Sequence, residues 1–305
     1  MAVGTETLAG IDAASLSDEE RIRLIHKNWW IGYSRATRIR DQMERVFNYP
    51  KTHRMPNLAI IGESNSGKTM LLKNFCKRHG LDPDKEITID LNDERARLPL
   101  LFMETPPSPD EGRFYRELLG LLSITVSHRE SPSDMFKRLR VVVRNLKPRA
   151  FLLDEFNNAL GGSPKQQRSF LNAIRYVGNQ LKIPIIVAGI PEALAAIQSD
   201  PQLANRFEPA FLPKWTHDAE FASFLMSAEK LLFLRRPSNL VEPRMAQKIV
   251  VLSEGILGEV MDILRRLAEH AIRTKEERIT SEMLTLKHLH SLGWTEPSKR
   301  MVYPA

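Results

Sequence analysis

Short apolar runs punctuated by glycine and proline recur through the first two thirds of the chain. Asn57-Leu-Ala-Ile-Ile61 lies between Pro56 and Gly62 and predicts a buried strand. Ile87–Asp90, Leu100–Glu104, Ala150–Leu153, Ile183–Ala188 and Phe207–Leu212 predict further strands. Between them, apolar residues fall three and four apart, the period of a helix with one buried face. Such stretches cover Ser66–His79, closed by Gly80, then Glu111–Ser127, Ser133–Leu146 and Lys165–Gln180. Strands alternating with helices predict a parallel sheet with helices on both faces. Ahead of the sheet, Ser17-Asp-Glu-Glu20 is a capping box. It opens a long helical stretch, broken near Gly32, that stops at Tyr49-Pro50. After about Trp215 the strand pattern ends, and 218–234, 243–254, 257–275 and 280–291 read as helices. The expected organisation is an arm and helical extension over 1–50, an α/β core over 51–215, a small helical lid over 216–291 and a tail over 292–305. The arm and tail are expected to be exposed segments open to partners.

Composition narrows the class. With 305 residues, 42% of them hydrophobic, the chain can bury a sizeable core. No run of 18 apolar residues is present, so no membrane span is expected, and the N-terminus lacks a signal-peptide pattern. A lone Cys76 excludes an internal disulfide and a cysteine-based zinc site, and points to a reducing, cytoplasmic setting. A net charge of +7 favours a polyanionic partner, because lysine and arginine release counterions when they neutralise phosphates. His288 and His290 stand two apart and do not share a helix face, so no metal beyond magnesium is read. Trp29-Trp30 reads as packing for the N-terminal helix.

One contiguous segment carries specific chemistry. Gly62-Glu63-Ser64-Asn65-Ser66-Gly67-Lys68-Thr69, followed by Met70, fits the phosphate-loop pattern in full. A strand precedes it and a helix follows. The glycines let the backbone curl so that N–H groups face phosphates, and the helix N-terminus adds its positive end. Lys68 then reaches the β- and γ-phosphates, and the Thr69 hydroxyl ligates Mg²⁺. Ala150-Phe-Leu-Leu-Asp154-Glu155 supplies the second half. Asp154 at the strand's end suits Mg²⁺, and Glu155 suits a general base on the attacking water. No guanine-recognition motif is evident, so ATP is the expected nucleotide. Arg206, between the last two strands, reads either as a surface arginine or as one that reaches a neighbouring subunit's γ-phosphate. Lys137, Arg140, Arg144 and Lys147 recur at helical spacing opposite Phe136, Leu139, Val143 and Leu146. They read either as a solvated face or as a phosphate-tracking stripe for DNA. Lys165 and Arg168 form a second such candidate.

Beyond these motifs, the chain resembles a known family. Asn28-Trp-Trp-Ile-Gly-Tyr33, Arg54-Met-Pro-Asn57 running into the phosphate loop, Phe151-Leu-Leu-Asp-Glu155, Ala188-Gly-Ile-Pro-Glu192, Gln202-Leu-Ala-Asn-Arg-Phe207 and Gly258-Glu259 together look like the TniB/TnsC transposition ATPases. The resemblance covers about residues 20–290. It implies an AAA+ P-loop fold with a five-stranded parallel sheet and a C-terminal helical lid. It implies ATP-bound assembly on double-stranded DNA as rings or helical filaments, recruitment of a DDE-type, TniA-like transposase and often of a TniQ-family protein, and slow hydrolysis that governs disassembly. It implies a DNA-associated life in the bacterial cytoplasm, and it matches Arg206 to an arginine finger. Two departures stand out. The fourth strand ends Ala188-Gly189, with no polar sensor, and Gly258-Glu-Val-Met261 lacks the usual sensor arginine, for which Arg265 or Arg266 is the available substitute. A replication initiator or helicase loader on the same frame, and a signalling switch without DNA, are the alternatives. The short tail after Ser291 leaves little room for the winged helix of the former.

Overall fold

The computed structural model describes residues 13–87, 93 and 95–300. In chain order the elements are α1 (Asp18–Ile25), α2 (Ser34–Phe47), β1 (Asn57–Gly62), α3 (Lys68–Arg78), β2 (Leu100–Glu104), α4 (Glu111–Leu121), α5 (Pro132–Leu146), β3 (Ala150–Asp154), α6 (Pro164–Leu181), β4 (Ile185–Gly189), α7 (Pro191–Ser199), α8 (Pro201–Ala204), β5 (Phe207–Leu212), α9 (Ala219–Glu229), α10 (Pro243–Leu252), α11 (Leu257–Arg273) and α12 (Leu286–Ser291). The strand expected at Ile87–Asp90 lies, beyond Ile87, outside the described residues, as does most of the expected arm. No described helix is long and apolar enough to cross a membrane. The chain divides into two compact units, Arg38–Ser64 with Lys68–Leu212, and the segments up to Thr37, Asn65–Gly67 and from Pro213 onward.

The larger unit is the α/β one. Its five strands lie in the order β2-β3-β4-β1-β5, and every pairing is parallel. β1, β3 and β4 are buried along their whole length, which is why they read as unbroken apolar runs. The edge strand β5 alternates, with Glu208, Pro209 and Phe211 exposed. Parallel pairing puts all five C-terminal ends on one side of the sheet. Gly62 lies opposite Leu212, Ile61 opposite Gly189, and Glu104 opposite Asp154. Phe136, Leu139, Val143 and Leu146 of α5 are buried, as their spacing predicts. The connection from β4 to β5 holds two helices that the apolar pattern does not announce. Pro191 and Pro201 open them at first-turn positions, where proline's missing N–H costs nothing.

The second unit is helical. Its core gathers Trp215, Phe221, Phe224, Leu225, Ile263, Leu264 and Leu267 around α9 and α11. The helical stretch from Ser17 to Phe47 is broken around Gly32, as expected, and the break is an extended segment that separates α1 from α2. That segment is pinned by aromatic contacts. Trp29 donates its indole N–H to the Leu24 carbonyl at 2.8 Å and leans on Phe233, and Tyr33 meets Trp215 at 5.0 Å. Arg21 is fully buried, donating to both Glu277 oxygens at 2.7 and 2.8 Å, to Asp18 at 2.8 Å and to the Phe233 carbonyl at 3.1 Å. The last expected helix is shorter than its pattern. It begins only after Thr285, whose hydroxyl accepts from the His288 N–H. The segment after Ser291, expected to be exposed, folds back instead, with Trp294 1% exposed.

Candidate nucleotide site

β1 delivers the chain to Gly62, and α3 takes over at Lys68, two residues later than the sequence pattern suggests. Between them the backbone turns through left-handed positions at Asn65 (φ 62) and Gly67 (φ 90). Asparagine and glycine are the residues that tolerate this region best. The Lys68 side chain is buried at 7% exposure, and its ammonium donates to the Gly62 and Glu63 carbonyls at 2.9 and 2.7 Å. Burial lowers its pKa, opposed by Glu155, Asp154 and Glu63. The Ser66 hydroxyl is buried with no hydrogen-bond partner. Such a group is expensive to leave unsatisfied, so its place within a curled loop of N–H donors fits a phosphate ligand.

The acidic pair is built by β3. Asp154 is 4% exposed, and burial raises its pKa; the Thr69 hydroxyl and the Glu155 N–H, at 2.9 Å, oppose that by bonding the carboxylate. Glu155 itself sits at φ 48, a left-handed conformation rare for glutamate. Such strain costs about 1–3 kcal/mol and collects at functional sites. The Thr69 hydroxyl beside the Asp154 carboxylate makes a hard-oxygen donor set that fits Mg²⁺. Glu63, Ser64 and Asn65 face solvent, and Met70 is half-buried.

Arg206 stands at the other end of the sheet. Its carbonyl accepts from the Asn57 N–H at 2.9 Å, at the start of β1, five residues before Gly62. At ~3.3 Å per strand residue that is about 17 Å from the phosphate loop. Its guanidinium bonds Asn179, and burial together with the nearby Arg54 and Arg175 lowers its pKa. Lys137, Arg140, Arg144, Lys147, Lys165 and Arg168 are all exposed. Lys137 pairs with Asp134 at 2.8 Å.

The two sequence departures have physical causes. At Gly189 a Cβ would lie 2.9 Å from the Ala193 Cβ, so the end of β4 has no room for a polar sensor. Arg265 donates to the Lys27 carbonyl at 3.1 Å, while Arg266 bonds Asp262 at 3.0 Å and the Leu292 carbonyl at 2.9 Å. Both arginines are engaged within the helical unit. Residues the motifs do not point to also bear on the site. Thr105 is buried against Asp154, and Glu259 accepts from the Asn65 amide at 3.1 Å. Gly258-Glu259 was the only local signal for the second.

A parallel sheet in this order, with a phosphate loop after β1 and an Asp-Glu pair ending β3, defines an AAA+ ATPase. Residues 21–217 match the family described as bacterial TniB protein, and the chain belongs to that family. No curated protein sequence matches the chain. Among solved structures it is similar to the Aeropyrum pernix ORC1 protein, at 14% identity and a TM-score of 0.61, over 89% of this chain and 68% of that one. It is similar to the Aeropyrum pernix ORC2 protein at 17% identity and 0.59, over 86% and 70%. The likeness to Cdc6p from Pyrobaculum aerophilum is 16% identity and 0.58, over 87% and 68%. At these identities the likeness is one of fold.

Proposed function

We propose that this TniB-family ATPase is a DNA-binding regulator of transposition. It assembles on double-stranded target DNA with ATP bound, recruits a DDE-type, TniA-like transposase and a TniQ-family partner in the bacterial cytoplasm, and disassembles through slow hydrolysis. Lys68 and the loop N–H groups bind the phosphates. Thr69 and Asp154 hold magnesium, which when bound offsets the negative charge of the β- and γ-phosphates. Glu155 accepts the proton of the attacking water. Family membership supports the transposition role, and the similar ORC2 protein is itself an ADPNP- and ADP-bound one.

The observation that carries the assembly reading is the separation of Arg206 from the phosphate loop across one sheet. An arginine about 17 Å from its own loop reaches a γ-phosphate only on a second copy. A head-to-tail contact of that kind generates rings or helical filaments. The net charge of +7 and the exposed basic residues of α5 and α6 support a polyanionic track, and the similar ORC1 protein is in complex with DNA.

The test is electron microscopy of the purified protein with double-stranded DNA, with and without a non-hydrolysable ATP analogue. Rings or filaments that need both ligands are expected. Monomers under every condition would overturn the proposal.

A further inference from the structure

The Glu259 carboxylate lies at the start of α11, 4% exposed. It is saturated. Oε1 accepts from Arg300 at 2.8 Å and from the Asn65 amide at 3.1 Å, and Oε2 accepts from Arg300 at 2.6 Å and from the Trp294 indole at 3.2 Å. A carboxylate offers about four lone-pair sites, and all four are used. Three of the donors come from the C-terminal segment and one from the tip of the phosphate loop. A second bond joins loop and helix, from the Gly258 N–H to the Asn65 carbonyl at 2.9 Å. The approach there is so close that a Cβ on Gly258 would lie 2.0 Å from the Asn65 side-chain oxygen. All of these residues belong to one compact unit.

We infer that Glu259 is a positioning residue for the phosphate loop, and that Arg300 and Trp294 of the C-terminal segment set its place. The inference rests on reading residues 62–69 as the nucleotide site. Asn65 holds a left-handed backbone directly before the N–H groups that must face phosphate. Glu259 fixes the Asn65 side chain while Gly258 fixes its carbonyl, so the loop is held at two points. The side-chain point depends on the tail, which supplies the other three bonds to Glu259. A buried carboxylate that loses its arginine is an uncompensated charge, and it draws water or neighbouring donors to itself. The segment Trp294–Arg300 therefore braces the loop that binds nucleotide. The coupling is reciprocal by linkage, so nucleotide on the loop tightens the docking of the tail. A partner that draws the tail away loosens nucleotide, and one that needs the docked tail prefers the nucleotide-bound protein.

The test uses the full chain. Arg300→Ala is expected to raise the Kd for a fluorescent ATP analogue about tenfold, the effect of losing a bidentate charged pair. Arg300→Lys, which lacks the planar fork, should fall between. Turnover at saturating ATP should stay within about twofold, since no reacting group is touched. Amide exchange over residues 63–68 should quicken. Gly258→Ala, which displaces Asn65 from the other side, should give the same exchange signature. A lowered melting temperature with unchanged Kd and unchanged loop exchange would reduce the cluster to a structural brace and overturn the inference. In the wild-type protein, exchange over residues 294–300 should slow when ADP is added, and no change there also overturns it. Lys68→Ala is the control. If that variant binds the analogue normally, the nucleotide-site reading itself fails.

Discussion

Thr105 donates twice to a single atom: its backbone N–H at 2.8 Å and its hydroxyl at 2.7 Å both reach the carbonyl oxygen of Asp154. The residue is buried, and its own carbonyl accepts from the Asn158 amide at 2.8 Å. Thr105 thus ties the end of β3 to the end of β2, beside the strained Glu155. Thr105→Val keeps the shape and removes one bond, worth about 1 kcal/mol. ATP turnover, read as phosphate release, should fall about fivefold, while nucleotide Kd stays within about twofold.

In the proposed site Lys68 serves binding and Glu155 serves chemistry, so two variants separate them. Glu155→Gln should still bind ATP and lose hydrolysis by about 10² or more, because a carboxamide cannot accept the proton. Lys68→Ala should lose ATP binding and, with it, ATP-dependent assembly. Equilibrium binding and phosphate release on the two variants check both. Unchanged turnover in Glu155→Gln would remove Glu155 from the role of base.

Arg206 acts across a subunit boundary in the proposed assembly. Arg206→Ala should bind nucleotide as a monomer and hydrolyse slowly, by up to about 10³-fold. Mixed with Glu155→Gln, it should regain activity, because an intact loop and base in one copy meet an intact arginine in the next. Turnover that stays low at every mixing ratio would argue against action in trans.

Arg21 governs the stability of the helical unit. Its guanidinium is wholly buried between Glu277 and Asp18. Arg21→Met leaves Glu277 only the looser Arg235, whose N–H reaches it at 3.3 Å, and should destabilise that unit by about 3 kcal/mol. All four tryptophans, Trp29, Trp30, Trp215 and Trp294, fall in this unit, so tryptophan fluorescence during urea unfolding reports on it directly. The pH dependence has a definite sign. Lys275 and Arg21 pull the Asp18 pKa from 3.8 to about 2, and Arg21 likewise holds Glu277 below its ordinary value. Carboxylates with lowered folded pKa stabilise fully above the ordinary value, and that contribution drains away as pH falls. The unfolding midpoint should therefore decline as pH drops from ~4 toward about 2, and Arg21→Met should flatten the decline.

The sheet and the phosphate loop are legible in the sequence because each is written in contiguous residues. β1, β3 and β4 are short apolar runs, and the loop is a single eight-residue pattern. What escapes is written in pairs far apart. Arg21 meets Glu277 across 256 positions, Asn65 meets Glu259 across 194, and Thr105 meets Asp154 across 49. No local period announces such contacts. The break between α1 and α2 is announced near Gly32, but its length is not. Both flanks favour helix, and it is Tyr33 and Trp29, anchored on Trp215 and Phe233, that pull the chain out of it. In α7 and α8 the proline signals at Pro191 and Pro201 were present, but the helices are too short to show a repeat.

The parallel sheet carries its phosphate loop on one side and Arg206 on the other, and this gives any stack of such subunits a direction. One terminal copy offers an arginine to nothing, while the opposite terminal copy holds a nucleotide that no arginine reaches. In the proposed assembly, ATP in the interior would be consumed while ATP at that end persists, so the stack would be protected at one tip and age from within. If the proposed stack forms on DNA, such an asymmetry would mark not only where the protein sits but which way it faces.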